Sequence, residues 1–227
     1  MVRTCRRFAT LHPVSDPSSH ITLEEGPHGL ELRRPEDRPG QGVRASFEGL
    51  STRGHPFSKL LRGCTGAIVD ATAGLGGDTA VLAALGWHVL AIEREPRLFK
   101  LLRQAHDRIR DPELQARISL LEGDSIRSLG ALPSGFQRPA AIVLDPMYPP
   151  RRKTSALPPK GMQALRMLHA DGGGDDPEGL LAAAFAASPG RVLLKRPPEA
   201  PAIVDRPATF SVGSKLVRWD AWELGAE

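Results

Sequence analysis

The sequence predicts an α/β fold. Its core is a mostly parallel, doubly wound sheet closed by a C-terminal antiparallel hairpin, with a small N-terminal β-rich appendage in front. Three observations carry this. From residue 66 onward, short apolar runs alternate with helical segments, a spacing that implies right-handed crossovers between parallel strands. The stretch DATAGLGGD, residues 70 to 78, puts a glycine-rich turn where the first of these strands meets the first helix. Near the end, TFSV and KLVRW flank Gly213-Ser214, a two-residue loop with glycine first that suits a type II′ turn.

Residues 1–45 are rich in Pro, Gly, Arg and Ser and are read as an arm or appendage, with the main domain over 46–227. Within the appendage, ITLEE and LELRR alternate about Gly-Pro-His-Gly and predict a hairpin, and VRASFE reads as a third strand. AIVDAT is a buried strand. A helix over 77–85 follows and is ended by Gly86 at C′. WHVLAIE is the next strand, and Pro96 opens a helix at N1 that runs to about Arg110. RISLLEG and AAIVLD are further strands. The Gly-rich ADGGGDDPEG reads as a flexible connection, residues 177–187 as a helix, and RVLLKR as the fifth parallel strand.

Composition narrows the class. At 227 residues, 41% hydrophobic and 25% charged, the chain can bury one good-sized core. Cys5 and Cys64 are too few for a disulfide framework or a thiolate metal site, and the histidines show no H-E-x-x-H spacing, so no metal is expected. No apolar run approaches the roughly 18 residues of a membrane span. The N-terminal MVRTCRRFAT lacks the apolar segment of a signal peptide, which makes a cytoplasmic location the expectation. The net charge of +4 is a mild bias toward polyanions such as nucleic acid.

The candidate ligand site lies at the carboxyl edge of the sheet. Gly74, Gly76 and Gly77 let a ligand approach the backbone at a helix N-terminus. A dinucleotide fingerprint needs glycine at position 79, where this chain has Thr79. Asp70, at the end of the first strand, suits a ligand's amino group, met directly or through water. Glu93 ends the second strand about 20 residues after Gly74, where a carboxylate accepts from two ribose hydroxyls. Asp124, in EGDS after the third strand, is placed to accept from an adenine amine. Together they describe an adenosine with an amino-acid tail, S-adenosylmethionine.

After the fourth strand comes LDPMYPPRRK, with Asp145, Pro146 and Tyr148 followed by three consecutive cations. These residues resemble the (Asp/Asn/Ser)-Pro-Pro-(Tyr/Phe) loop of methyltransferases that act on exocyclic base amines. With DATAGLGGD and IERE upstream and VLLKRP downstream, the chain is similar to the ribosomal RNA small subunit methyltransferase J family over roughly residues 44 to 222. The resemblance implies a Rossmann-like class I methyltransferase fold with one antiparallel strand inserted near the sheet's edge. It implies S-adenosylmethionine as cofactor, S-adenosylhomocysteine as product, and N2 of a guanine in 16S rRNA as target, in free rRNA or the 30S subunit. Cofactor contacts fall on Gly77 and Asp78, Glu93 and Arg94, Asp124 and Ser125, and Asp145. Gly77 stands where the resemblance leads one to expect arginine, leaving a backbone contact there.

Asp145 and the Pro146 carbonyl would accept from the target amine, and Tyr148 would stack on the base. Arg151, Arg152 and Lys153 would meet phosphates, with Lys160, Lys195 and Arg196 at the rim. No obligate protein partner is expected. The loop alone would equally suit adenine N6. A nicotinamide-dependent dehydrogenase is the rival enzyme, opposed by Thr79 and by the lack of a His or Tyr-Lys proton donor. A catalytically inactive RNA-binding module is the rival binder, opposed by the intact Asp145, Pro146 and Tyr148.

Overall fold

A computed structural model describes residues 21–147, 158–169 and 176–225. Thr22–Gly26 (β1) and Gly29–Arg33 (β2) form the expected hairpin, paired Thr22 to Arg33 and Gly26 to Gly29. VRASFE is not a third strand. Val43 makes only an isolated antiparallel bridge to Leu32. The buried Glu31 carboxylate accepts from the amides of Gly40 and Gly42, at 2.8 and 3.2 Å. A side chain thus satisfies backbone groups that a longer strand would have paired.

A short helix, Phe57–Leu60 (α1), leads into the main sheet. The strands and the helices opening at 77, 96 and 177 then fall where the sequence predicts them, and further helices that it did not predict lie between them. Ile68–Asp70 (β3) leads to Gly77–Ala84 (α2), and Val89–Glu93 (β4) to Pro96–Asp107 (α3). Pro112–Ala116 (α4) precedes Ile118–Glu122 (β5), and Ser125–Ser128 (α5) precedes Ala141–Leu144 (β6). Lys160–Leu168 (α6) and Pro177–Ala186 (α7) lead to Arg191–Arg196 (β7), and Phe210–Gly213 (β8) and Arg218–Glu223 (β9) close the chain. Pro96, Pro112 and Pro177 each sit at a helix start. The side chains of Glu95, Asp111 and Asp176 accept from the free amides of those first turns.

The sheet order is β5-β4-β3-β6-β7-β9-β8. Strands β3 to β7 are parallel, and β9 runs antiparallel to both of its neighbours. Because both faces are covered, alternate residues of one strand enter different cores. Ile68, Ala141 and Val143 pack with Phe57, Leu82, Leu102 and Trp219. Val69, Ile142 and Leu144 pack with Leu181, Val192 and Trp222 on the other side. A third cluster joins Ile21 and Leu32 of the N-terminal hairpin region to Leu98 and Leu101 of α3 and to Ala164 and Leu168 of α6.

The C-terminal turn differs from the expectation. Gly213 pairs with Arg218 inside the ladder and is not among the glycines with positive φ, so the loop is the four residues 214–217. Ser214 closes it. Its amide donates to the Val217 carbonyl at 2.8 Å, and its hydroxyl accepts from the amides of Leu216 and Val217.

Candidate active site

Chain order along the sheet reverses between β3 and β6, and crevices open at such switch points beyond the carboxyl ends of the strands. A cavity of about 640 Å³ lies there, within the usual range of small-molecule sites. Gly74, Gly77, Asp78, Glu93, Arg94, Asp124, Ser125, Asp145, Pro146 and Lys195 line it, so acids read separately from the sequence border one cavity.

The glycine loop is locked from two sides. Beneath it, Asp70 is 1% exposed and does not line the cavity. Its carboxylate accepts from the Thr79 hydroxyl at 2.5 Å and the Thr72 amide at 3.2 Å. This corrects the expectation that Asp70 meets a ligand's amino group directly, because its oxygens are spent on the loop itself. From the neighbouring strand, the Glu93 carboxylate accepts from the amides of Gly74 and Glu95, both at 2.8 Å, while still facing the cavity. Gly76 is also reassigned. It adopts the left-handed conformation at φ +82°, and a Cβ there would lie 2.7 Å from the Phe47 ring and 2.9 Å from Leu102. Gly76 therefore faces the core, and it is Gly77, with open space around it, that faces the cavity.

Burial sets the electrostatics. It pushes the Asp70 carboxyl up to about 7, helped by the charge of Asp78 and opposed by its two hydrogen bonds. Burial also raises Glu93 to about 7 against the pull of the amides it accepts from. Asp124 caps α5 by accepting from the Arg127 amide, and Ser125 donates to the Ala71 carbonyl at 2.6 Å, tying α5 to the loop after β3.

Asp145 follows β6 directly. Its amide donates to the Thr72 hydroxyl at 2.7 Å, which fixes the backbone leaving the strand. One carboxylate oxygen lies 2.7 Å from the Lys195 ammonium, which is also 3.5 Å from Asp78. Burial lowers the Lys195 pKa, but Asp145 and Asp78 outweigh it and hold the ammonium above its ordinary value. Lys195 is therefore part of the cavity wall and not the solvated rim contact expected from sequence.

Arg196 is corrected too. It is 4% exposed, pairs with Asp220 at 3.4 Å and donates to the Pro201 carbonyl, so phosphates cannot reach it without breaking that pairing. Lys160, expected in a linker, opens α6 and pairs with Asp37 at 2.7 Å beside the N-terminal hairpin. Tyr148, Arg151, Arg152 and Lys153 lie outside the described residues.

Sequence reasoning missed Thr72 and Thr79, whose hydroxyls position two of the acids. It also missed α6, whose Met162 and Leu165, with His169 just beyond its end, complete the cavity wall. Among the described residues, no group of three or more His, Cys, Asp or Glu is arranged to hold a metal ion, and no helix is long and apolar enough to cross a membrane. The donor set suits a nucleoside with an amino-acid tail, with Glu93 and Asp124 at adjacent strand ends, open backbone at Gly77, and both carboxylates and cations along the lining.

Residues 14–223 match a family described as putative SAM-dependent methyltransferase. A ribosomal RNA small subunit methyltransferase J from Yersinia enterocolitica is 36% identical, covering 92% of this chain and 87% of that protein. Its counterpart from Alkalilimnicola ehrlichii is 39% identical, with 89% and 73% covered. Among solved structures, a SAM-dependent methyltransferase from Neisseria gonorrhoeae superposes with a TM-score of 0.66 at 27% identity, covering 87% of this chain and 81% of that one. With its sheet order, its cavity at the switch point and these relatives along nearly its whole length, the chain belongs to the ribosomal RNA small subunit methyltransferase J family of SAM-dependent methyltransferases.

Proposed function

We propose that the protein transfers a methyl group from S-adenosylmethionine to the exocyclic N2 amine of a guanine in small-subunit rRNA, releasing S-adenosylhomocysteine. The methylation of small-subunit rRNA follows from the relatives' names; the guanine amine is our extension of it. One observation carries the chemistry. Asp145 leaves β6 with its amide pinned by Thr72 and its carboxylate opening into the cavity that Glu93 and Asp124 line.

The bound cofactor supplies an electrophilic methyl carbon. The protein has to make a poor nucleophile attack it, because a purine's exocyclic lone pair is delocalised into the ring. Asp145 and the Pro146 carbonyl accept from the amine's two hydrogens, which favours a localised lone pair and stabilises the positive charge that develops on nitrogen. Proline's fixed φ orients that carbonyl. Glu93 receives the ribose hydroxyls while it holds the Gly74 amide, and Asp124 takes the adenine amine.

An extruded base needs an apolar surround, and the rim supplies one. Ile126, Met162, Leu216 and Val217 are between 36% and 73% exposed and all line this cavity. Tyr148 adds a stacking face, and Arg151, Arg152 and Lys153 meet the RNA backbone. Residues 1–45 act as an appendage in this reading. The β1–β2 hairpin packs on α6 and so supports the wall that α6 contributes. The substrate, as free rRNA or in the 30S subunit, places the reaction in the cytoplasm without an obligate protein partner.

The test uses small-subunit rRNA, free and in 30S particles, from a strain lacking its own enzyme, with nucleoside mass spectrometry as readout. N2-methylguanosine is the expected product. Asp145→Ala should slow single-turnover transfer by roughly thirty- to a thousandfold, and Asp145→Asn, which keeps an acceptor oxygen, by less. N6-methyladenosine as product, or wild-type rates for Asp145→Ala, would overturn the assignment.

A further inference from the structure

We propose that Lys195 is a positioning residue for the methyl transfer: its ammonium holds one oxygen of Asp145 and bridges to Asp78, which fixes the orientation of the carboxylate that meets the target amine. The role rests on the reading of Asp145 given above and extends it to a side chain on a different strand.

The geometry separates this role from a phosphate contact. Lys195 lies on β7 in register with Trp219 of β9, and its ammonium sits 5.4 Å from the centre of that indole ring. In front of it are Asp145 at 2.7 Å and Asp78 at 3.5 Å. A cation held between an aromatic face and two carboxylates, with its side chain 26% exposed, points inward along the cavity wall. The two carboxylates come from the turn after β6 and the first turn of α2, so Lys195 joins the catalytic turn to the start of α2, beside the Thr72 contact to the Asp145 amide.

Charge makes that link necessary. Asp70, beneath the loop, feels both Asp78 and Asp145, and His55, from the segment before α1, faces Asp78 and Lys195. Without the ammonium, Asp145 would share this small space with other acids and lose its 2.7 Å hydrogen bond from Lys195. A positioning residue must then shift two readouts at once, the rate of the chemical step and the acid limb of its pH profile.

The experiment compares Lys195→Met, Lys195→Gln, Lys195→Arg and Asp145→Ala in the full-length chain, with S-adenosylmethionine and small-subunit rRNA, after melting curves establish folding. Lys195→Met should lower the single-turnover rate about ten- to a hundredfold through misplacement of Asp145. Its acid limb should move to higher pH, because a carboxylate that loses its cation holds its proton more tightly. Lys195→Gln should do the same should the methionine variant fail to fold, and Lys195→Arg should restore most of the rate and the original limb. RNA affinity and its salt dependence should stay as in the wild type.

A normal rate and limb in both neutral variants, with Asp145→Ala still slow, would overturn the role of Lys195 alone. So would a reduced salt slope with an unchanged saturated rate, which would make Lys195 a phosphate contact. Wild-type rates in the Asp145→Ala protein as well would overturn the amine-acceptor reading and this role with it.

Discussion

Replacing Asp70 by Asn should make the protein more stable at alkaline pH, although it alters a fully buried residue. The asparagine can keep both contacts. Its oxygen accepts from the Thr72 amide, and its NH2 donates to the Thr79 hydroxyl, which turns from donor to acceptor. What disappears is a buried charge. Asp70 has a pKa of about 7 in the folded chain against an ordinary 3.8. Between those values the folded state binds a proton that the unfolded state releases, so stability falls as pH rises through this window and levels off above it. The difference corresponds to at most about 4 kcal/mol at pH 8. Glu93, raised from 4.5 to about 7, adds up to about 3 kcal/mol to the same slope. Urea melts of the ligand-free protein from pH 5 to 8.5 should show wild-type stability falling with pH. The Asp70→Asn variant should follow a shallower line, so that its advantage over wild type grows from pH 5 to pH 8. A variant less stable than wild type at pH 8, or one with the wild-type slope, would refute the reasoning.

Two further outcomes test the loop's supports and its exit. Glu93→Ala should destabilise the fold by about 1–3 kcal/mol for each amide it leaves unpaired, those of Gly74 and Glu95 among them, and should weaken S-adenosylmethionine binding at least about tenfold. Melts and calorimetry on the same sample check both. Replacing Arg151, Arg152 and Lys153 together by alanine should flatten the dependence of log RNA affinity on log salt while leaving cofactor affinity unchanged, which filter-binding titrations measure.

The parallel strands were legible because burial on both faces writes them as apolar runs, and the proline and glycine punctuation marked their helices. The missed elements owe their form to distant partners. Helix α6 starts without a side-chain cap, and its buried face, Ala164 and Leu168, is completed by Ile21 and Leu32. VRASFE has the composition of a strand, but Glu31 occupies the amides near its start. In the C-terminal hairpin the glycine signal pointed to position 213, whereas the Ser214 hydroxyl set the turn. At the site, the acids could be read because strand-end position is encoded locally. The partners of those acids could not. Lys195 meets Asp145 and Asp78 only because β6, β7 and α2 converge in space, and its charge alone suggested a surface role.

Thr79 stands where a dinucleotide fold has glycine. Its buried hydroxyl commits Asp70 to structure, and the Gly74 and Glu95 amides commit much of Glu93 in the same way. Two acids whose pKa values are both about 7 thus sit on or beneath the glycine loop, with Asp78 and Asp145 close by and Lys195 between those two. A ligand carrying a sulfonium and an ammonium favours the ionised form of each acid, so binding near pH 7 should release protons. Calorimetric titration of S-adenosylmethionine at pH 6.5 to 7, in buffers of differing ionisation enthalpy, reads the number directly. The expected value lies between zero and two, falling toward zero at pH 8.5, where both acids are already ionised, and reduced in Asp70→Asn. S-adenosylhomocysteine, which lacks the sulfonium charge, should release fewer. An observed enthalpy that does not depend on buffer at pH 7 would mean that Asp70 and Glu93 do not feel the cofactor's charge.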